Sequence, residues 1–399
     1  MSLPGIPVEF VLFALTLLGV AVLHSRALEV AATGLAAITL YKLAATEFHG
    51  LAGLPGLVAH LGEEWSVLAN LFMLLLGFAL LSRHFEESHL PKRLPDLLPD
   101  DWRGGFLLLV LVFVLSSFLD NIAAALIGGT VARSVFRGRV HVGYIAAIVA
   151  ASNAGGSGSV IGDTTTTMMW IDGVAPLAVL HAYVPAAVAL VVCGIPAALQ
   201  QQRHSPILVS AMERAGVDWP RVAIVAIILL AAISANVIGN LRFAEYTHHV
   251  PFIGLAIWCA ILVTARWRQP DWAALPGALR GTAFLLCLVT AASMMPVERL
   301  PAPAWQTALG LGFVSAVFDN IPLTKLALEQ GGYDWGMLAF AVGFGGSMIW
   351  FGSSAGVAIS NLYPEARSVW TWLRAGWHVT LAYVLGFAVL LLTLGWQPN

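Results

Sequence analysis

The sequence predicts an all-α polytopic membrane protein. Its expected architecture is about ten transmembrane helices plus two re-entrant hairpins, in two inverted-topology repeats with broken helices. Three observations predict it. First, 59% of the 399 residues are hydrophobic and 11% are charged, against about 25% charged in a soluble domain, and the mean hydropathy is +0.82. Second, apolar stretches of span length, about 20 residues, recur along the chain. Third, SSFLDN at 116–121 returns as SAVFDN at 315–320, 199 residues later. Each copy sets an Asp-Asn pair inside a strongly apolar stretch. A carboxylate at membrane depth is expensive, faces a cavity or a partner, and marks an ion or proton pathway. Its duplication suggests a transporter with its site between two halves.

Full spans fall near 8–25, 27–43, 66–82, 140–170, 173–198, 220–240, 249–265, 275–294, 335–358 and 370–394. Residues 104–135 and 303–331 carry the Asp-Asn pairs near their middles, and each is read as a hairpin that enters and leaves on one side. Irregular backbone at such a tip is tolerated only where protein or a watery cavity surrounds it. The organisation that follows is an extra N-terminal span at 1–26, a first repeat at 27–198 and a second at 220–394. A charged cytoplasmic loop at 199–219, containing Pro206, joins them. Segment 83–103, with EES, PKR and PDDW, reads equally as an interfacial connector or a solvated loop.

The basic residues test this topology. With both termini outside, the inside loops hold Arg26; Arg83, Lys92, Arg93 and Arg103; Arg133, Arg137 and Arg139; Arg203, Arg214 and Arg221; Arg266, Arg268 and Arg280; Arg367 and Arg374. These are 16 of the 20 Lys and Arg residues. Lys42, Arg242, Arg299 and Lys325 remain outside or in a hairpin, in keeping with the positive-inside rule. Charge alone also permits both hairpins to be double spans of very short helices. On the favoured reading the hairpins enter from opposite sides, as an inverted repeat requires.

Several classes of function fall away. A net charge of −2 and the lack of a basic tract give no reason to expect nucleic acid as a partner. The first apolar stretch lacks a basic n-region and merges into a span, so no cleavable signal peptide is expected. Cys193, Cys259 and Cys287 lie in apolar spans without metal-ligand spacing and read as packing residues. No nucleophile–base or metal-ligand set suggests an enzyme, no cofactor is expected, and none of the eleven histidines is assigned a role.

Three groups carry the chemistry. The Asp120-Asn121 and Asp319-Asn320 pairs come first. Asp and Asn favour helix N-caps and proline suits a first turn. Pro322 after Asp319-Asn320-Ile321 therefore predicts a half-helix starting at the tip. Each Asp could also be no more than a cap. The second group, NAGGSGSVIGDTTTT at 153–167, is too rich in glycine and hydroxyls for a regular lipid-facing helix. An unwound crossover would expose carbonyls and hydroxyls from Asn153, Thr164 and Thr165, the hard oxygen ligands a small cation prefers. A small-residue packing face is the alternative, but it leaves Asp163 unexplained. The third, FGGSMIWFGSSAG at 344–356, mirrors the second: Gly155, Gly156, Ser157 and Gly162 match Gly345, Gly346, Ser347 and Gly352. Asp163 and Thr164 match Ser353 and Ser354. The site carboxylates are then Asp120, Asp163 and Asp319. Lys325 has no counterpart in the first repeat, which carries Leu126 there. Three roles stay open for it: charge partner of a carboxylate, contact for an anion, or a side chain that snorkels to the surface.

FLDNI (118–122), NAGGSGSVIGDTTTTMMWI (153–171), FDNIPL (318–323) and GGSMIWFGSSAGVA (345–358) resemble the ion transporter superfamily, the NhaD-type sodium/proton antiporters above all. That superfamily also holds arsenite permeases and citrate or dicarboxylate carriers. The resemblance covers most of the chain from about residue 66. It implies inverted repeats, re-entrant hairpins, broken helices, and a homodimer with elevator-like movement in the bacterial inner membrane. The chain is short for the type, and Lys325 departs from the pattern.

Antiport needs one site that takes either Na⁺ or H⁺. A carboxylate serves if desolvation raises its pKa while neighbouring oxygens favour the ion. The expected Na⁺ site is Asp120, Asn121, Asp163, Asp319 and Asn320, with Asn153, Thr164, Thr165, Ser353 and Ser354 beside it. The alternative is a sodium- or proton-coupled carrier of citrate or another dicarboxylate, or an arsenite permease. Half-helix amides and Lys325 would suit an anion, but uncompensated carboxylates oppose one.

Overall fold

A computed structural model describes all residues except 1–6, 24–25, 49–50, 91–92, 94, 96–97, 208–215, 244–245, 247–249 and 399. The middle of the predicted inter-repeat loop and part of the PKR connector therefore lie outside the described residues. The chain is almost wholly helical. In order it forms α1 (Val8–Val22), α2 (Ala27–Ala45), α3 (Gly53–Glu87), α4 (Trp102–Ser116), α5 (Asn121–Val135), α6 (Val142–Ser157), α7 (Thr164–Ile171), α8 (Pro176–Leu180) and α9 (Tyr183–His204). There follow α10 (Trp219–Arg242), α11 (Phe252–Thr264), α12 (Leu275–Ser293), α13 (Trp305–Ser315), α14 (Asn320–Gln330), α15 (Trp335–Gly345), α16 (Ser354–Leu362), α17 (Val369–Ala375) and α18 (Trp377–Thr393). A two-residue ribbon, Glu47–Phe48 against Leu51–Ala52, precedes α3.

Among the described residues, five helical segments are long and apolar enough to cross a membrane: Ala27–Ala45, Gly53–Glu87, Pro176–His204, Trp219–Gly239 and Trp272–Ser293. A sixth would be α17 with α18, bent by 63°. Shorter apolar helices, α1, α4, α5, α11 and α15, fall below that length. The expected span 66–82 is part of a much longer helix. At 35 residues, α3 extends about 52 Å at 1.5 Å per residue. Its first turns carry Glu63 and Glu64, charges that shortened the hydropathy reading.

Each Asp-Asn stretch folds as two helices around a short non-helical tip, α4–α5 and α13–α14. Helix α9 shows where their ends lie. Ser205, just after α9, donates to the Phe136 carbonyl at the end of α5 (3.4 Å). A methyl group on Gly104, near the start of α4, would meet Ile207. Both ends of the first pair thus adjoin the end of α9. At its start, His181 pairs with Asp334 (2.7 Å), which accepts from the Gln397 amide after α18 (3.0 Å). The ends of the second pair meet here too: Gln330 Nε2 donates to the Pro301 carbonyl (2.9 Å) and leads directly to Asp334. The two pairs therefore have their ends at opposite ends of α9, a 22-residue helix about 33 Å long.

The centre is built by exchange between halves. Helix α6 packs on α15, α5 on α16, and α14 on α7. One large core cluster joins these elements, including Tyr144, Ala150, Phe340, Phe344 and Tyr383. Tyr363 Oη donates to the Gly129 carbonyl (2.7 Å), tying the end of α16 to α5.

Candidate ion-binding site

Four helix starts supply the site residues. Asp120 and Asp319 are the N-caps of α5 and α14, with φ/ψ of −51°/139° and −53°/141°. Asp163 and Ser353 are the N-caps of α7 and α16, at −141°/140° and −140°/153°. Asp319 accepts from the Ile321 amide (3.1 Å), Asp163 from the Thr165 amide (3.4 Å) and Ser353 from the Gly356 amide (3.2 Å). Asp163, Asp319 and Ser353 thus satisfy otherwise unpartnered amides of a first turn, whereas Asp120 holds the same position without a side-chain cap bond.

Glycine lets the breaks approach the tips. A methyl group on Gly155 would strike the Phe113 carbonyl, and one on Gly345 the Gly312 carbonyl. Gly162 abuts the Ser116 carbonyl as Gly352 abuts that of Ala316. Phe113 and Gly312 stand 199 residues apart, like the two Asp-Asn pairs. The same close contacts are made twice.

A buried polar network links the four elements. Asn153 is fully buried. Its Nδ2 donates to Ser347 Oγ (2.9 Å) and Ser353 Oγ (3.1 Å) across the two broken helices. Asn121 Nδ2 donates to Asn153 Oδ1 (3.1 Å) and Asp163 Oδ1 (3.2 Å). Ser354 donates to Asp319 Oδ2 (3.2 Å). Asp163 lies within electrostatic reach of both Asp120 and Asp319. Asp163 Oδ2, Thr165 Oγ1 and Asn320 Nδ2 are buried with no hydrogen-bond partner among the described residues. Such groups are scarce in native interiors, and Asp163 Oδ2 and Thr165 Oγ1 both lie at the start of α7. A flip of the Asn320 amide would present oxygen instead.

A cavity of about 380 Å³ reaches the site. Asp120, Asp163, Thr164 and Ser354 lie on its inner wall, and it runs between α3, α5, α7 and α12 toward Ser82, Glu86 and Gly277. No Lys or Arg lines it among the described residues.

Lys325 is almost fully buried, with its side chain 2% exposed. It pairs with Glu64 of α3 (2.8 Å) and Glu329 (2.7 Å), not with a site aspartate. Six residues past the Asp319 cap, the helix has turned its side chain to a different face. Glu64 lies 22 residues before Glu86 on α3, about 33 Å along the helix. The ion pair and the far end of the cavity therefore lie toward opposite ends of α3.

Sequence reasoning missed Glu64 and Glu329, whose meeting with Lys325 carries no local signature. Gly343 was missed too. A methyl group there would sit 3.2 Å from Asp163 Oδ2, so the glycine leaves room beside that buried oxygen. Ser347 matches Ser157 in sequence, but its contact with Asn153 comes from the packing of α6 on α15.

A family model described as "Citrate transporter" matches residues 7–345. The chain belongs to that family. It is 26% identical over 329 residues to sodium/proton antiporter 1 of Arabidopsis thaliana, covering 73% of this chain and 55% of that protein. The chain thus spans little over half the length of that relative. It is 25% identical over 345 residues to the Na⁺/H⁺ antiporter NhaD of Vibrio parahaemolyticus, covering 73% of this chain and 79% of that protein. NhaD of Alkalimonas amylolytica is 26% identical over 347 residues, with 72% and 68% covered. These matches bear out the NhaD-type resemblance and make this an integral membrane member of a transporter family.

Proposed function

We propose that the protein exchanges Na⁺, or Li⁺, for H⁺ at a site formed by Asp120, Asp163 and Asp319. Asn121, Thr164, Thr165, Asn320 and Ser354 are the neutral groups beside it, and Asn153 and Ser353 hold the two broken helices in register. One observation carries the reading: Asp120 and Asp163 line a cavity with no basic side chain on its wall among the described residues, and Asp319 stands behind them, accepting from Ser354 of that wall. An uncompensated cluster of this kind favours a bound cation or proton. The Asp163 and Thr165 oxygens left unpaired are hard ligands suited to a small cation. Relatives named as sodium/proton antiporters support the same choice.

The transport cycle we infer is an elevator-type alternating access between two inverted repeats, with α4–α5 and α13–α14 as re-entrant hairpins. The doubled glycine contacts, the matched caps and the hairpin ends at opposite ends of α9 support that arrangement. The Lys325–Glu64 pair fastens α14 to α3, so movement of the hairpin past α3 would have to break it. We further infer a homodimer in the bacterial inner membrane, with both termini outside and with α3 and α11 as dimer surfaces. The family likeness supports this part.

A second reading, carriage of citrate or a related anion, is favoured by the family's description and by four helix N-termini at the site, whose dipoles attract negative charge. The placement of Lys325 among Glu64 and Glu329 weighs against it. Flux in proteoliposomes separates the two. Proton movement driven by a Na⁺ gradient, without uptake of labelled citrate or arsenite, is the expected result. Labelled citrate uptake without Na⁺-driven proton movement would reverse the assignment.

A further inference from the structure

Away from this site, two adjoining cavities of about 350 and 380 Å³ share His141, Thr371 and Ala375 and form one groove. Its walls are the α5–α6 loop, the end of α9 and α17. We propose that this groove binds a phosphate group, most simply the headgroup phosphate of an anionic lipid.

The charge of the groove points that way. Arg139 lines one cavity and Arg374 the other. Neither has an ion-pair or hydrogen-bond partner for its guanidinium among the described residues. A guanidinium presents a planar fork of donors that matches phosphate oxygens. His141 lines both cavities, and its ring centroid lies 5.4 Å from that of His204 beside Arg139. One carboxylate, Glu365, opposes them. Burial, and then the neighbouring His204, hold the His141 imidazole below its usual range. An anion in the groove would offset both effects.

The backbone and the surroundings agree. Arg137, at φ 53°, and Gly138, at φ 76°, adopt successive left-handed conformations. The turn closes α5, the Gly138 amide donating to the Arg133 carbonyl (2.7 Å), and leaves Arg139 on the cavity wall beside His141 and Val142. Trp370 lines the groove and is 74% exposed, and Trp377 nearby is 51% exposed. Exposed tryptophan marks the level of lipid headgroups, where basic pockets between helices take anionic headgroups. That placement favours lipid over free phosphate as the source.

The test titrates the full chain, purified in neutral detergent, with dioctanoyl phosphatidylglycerol, with dioctanoylglycerol, which lacks the phosphate, and with inorganic phosphate. Native mass spectrometry reads the binding. Phosphatidylglycerol should bind more tightly than dioctanoylglycerol. Arg139→Gln and Arg374→Gln should each weaken it roughly fivefold, and the pair roughly 25-fold, from the worth of one basic residue near an anionic surface. Glu365→Gln should tighten binding, Arg139→Lys should keep most of it, and Arg280→Gln, outside the groove, should leave it unchanged. Inorganic phosphate that binds as tightly as phosphatidylglycerol, and loses affinity in the same variants, would keep the phosphate site and make the free ion its source. Equal binding of the two lipids, or unaltered phosphatidylglycerol binding in the double variant, would overturn the proposal.

Discussion

Asn153→Ala would remove the side chain that joins α6 to the start of α5 and to the segment between α15 and α16. Three hydrogen bonds disappear: two donated to Ser347 and Ser353 and one accepted from Asn121. Their losses are unequal. Asn121 still donates to Asp163 Oδ1 and Ser353 still accepts from the Gly356 amide. The Ser347 hydroxyl is left buried without a partner. A net hydrogen bond is worth about 1 kcal/mol and a stranded buried polar group costs about 1–3 kcal/mol, so about 3 kcal/mol is at stake. If the whole loss falls on the ion-bound arrangement, half-activation by Na⁺ rises on the order of 100-fold. If part of it falls on folding, thermal unfolding comes earlier and the Na⁺ effect is smaller. Both are read from one preparation, by Na⁺-dependent proton flux in proteoliposomes and by thermal unfolding. A cycle with Ser347→Ala isolates the pair, since residues in direct contact couple by about 0.5–3 kcal/mol. If Asn153→Ala changes neither Na⁺ activation nor unfolding, or if the two substitutions add without coupling, the network does not hold the site together.

Further predictions concern residues around that network. Gly343→Ala places a methyl group 3.2 Å from Asp163 Oδ2 and 3.8 Å from Ser157 Cβ, close but not prohibitive. The protein should fold, with half-activation by Na⁺ raised more than that by the smaller Li⁺; equal effects on the two ions would place the cation elsewhere. Lys325→Met leaves Glu64 and Glu329 without their shared cation. Breaking a buried pair costs about 3–5 kcal/mol, and partial exposure of both glutamates, 13% and 20%, lowers the expected loss to about 1–3 kcal/mol. Adding Glu64→Gln should recover part of it in thermal unfolding; no loss from Lys325→Met alone would contradict a stabilising pair. At the start of α10, Arg268 holds the Asp218 carboxyl below its usual range. A depressed folded pKa gives stability that is present above the unfolded value, about 3.9, and is lost as the pH falls through the folded value. Asp218→Asn should therefore be less stable than the parent at pH 7, with the gap closing in strong acid; a gap independent of pH would assign the effect to the cap alone.

What the sequence made legible follows from how local each signal is. Asp120 and Asp319 stand out because a carboxylate in an apolar run is rare, and the pair repeats. The breaks at 158–163 and 346–353 are legible because glycines, serines and threonines cannot sustain a lipid-facing helix. The cap roles of Asp163 and Ser353 are locally encoded as well. The Lys325–Glu64 pair was hidden because its members lie 261 residues apart, and no periodicity connects them. Asn153 is legible as a polar residue in the break. That its Oδ1 accepts from Asn121 and its amide donates to two serines depends on the packing of α6 on α15. The full reach of α3 was hidden because Glu63 and Glu64 look like the end of a span, whereas tertiary packing carries the helix past them. Gly343 was hidden because glycine in an apolar run usually marks helix packing, and its nearness to Asp163 depends on the other half of the chain.

The central claim is that three site carboxylates carry both ion and proton. The direct measurement is proton movement driven by a Na⁺ gradient in proteoliposomes holding Asp120→Asn, Asp163→Asn or Asp319→Asn. Each substitution keeps the size of the side chain and removes its titratable charge. At least two of the three variants should fold, insert and show no Na⁺-driven proton movement. Full activity in all three would contradict the claim.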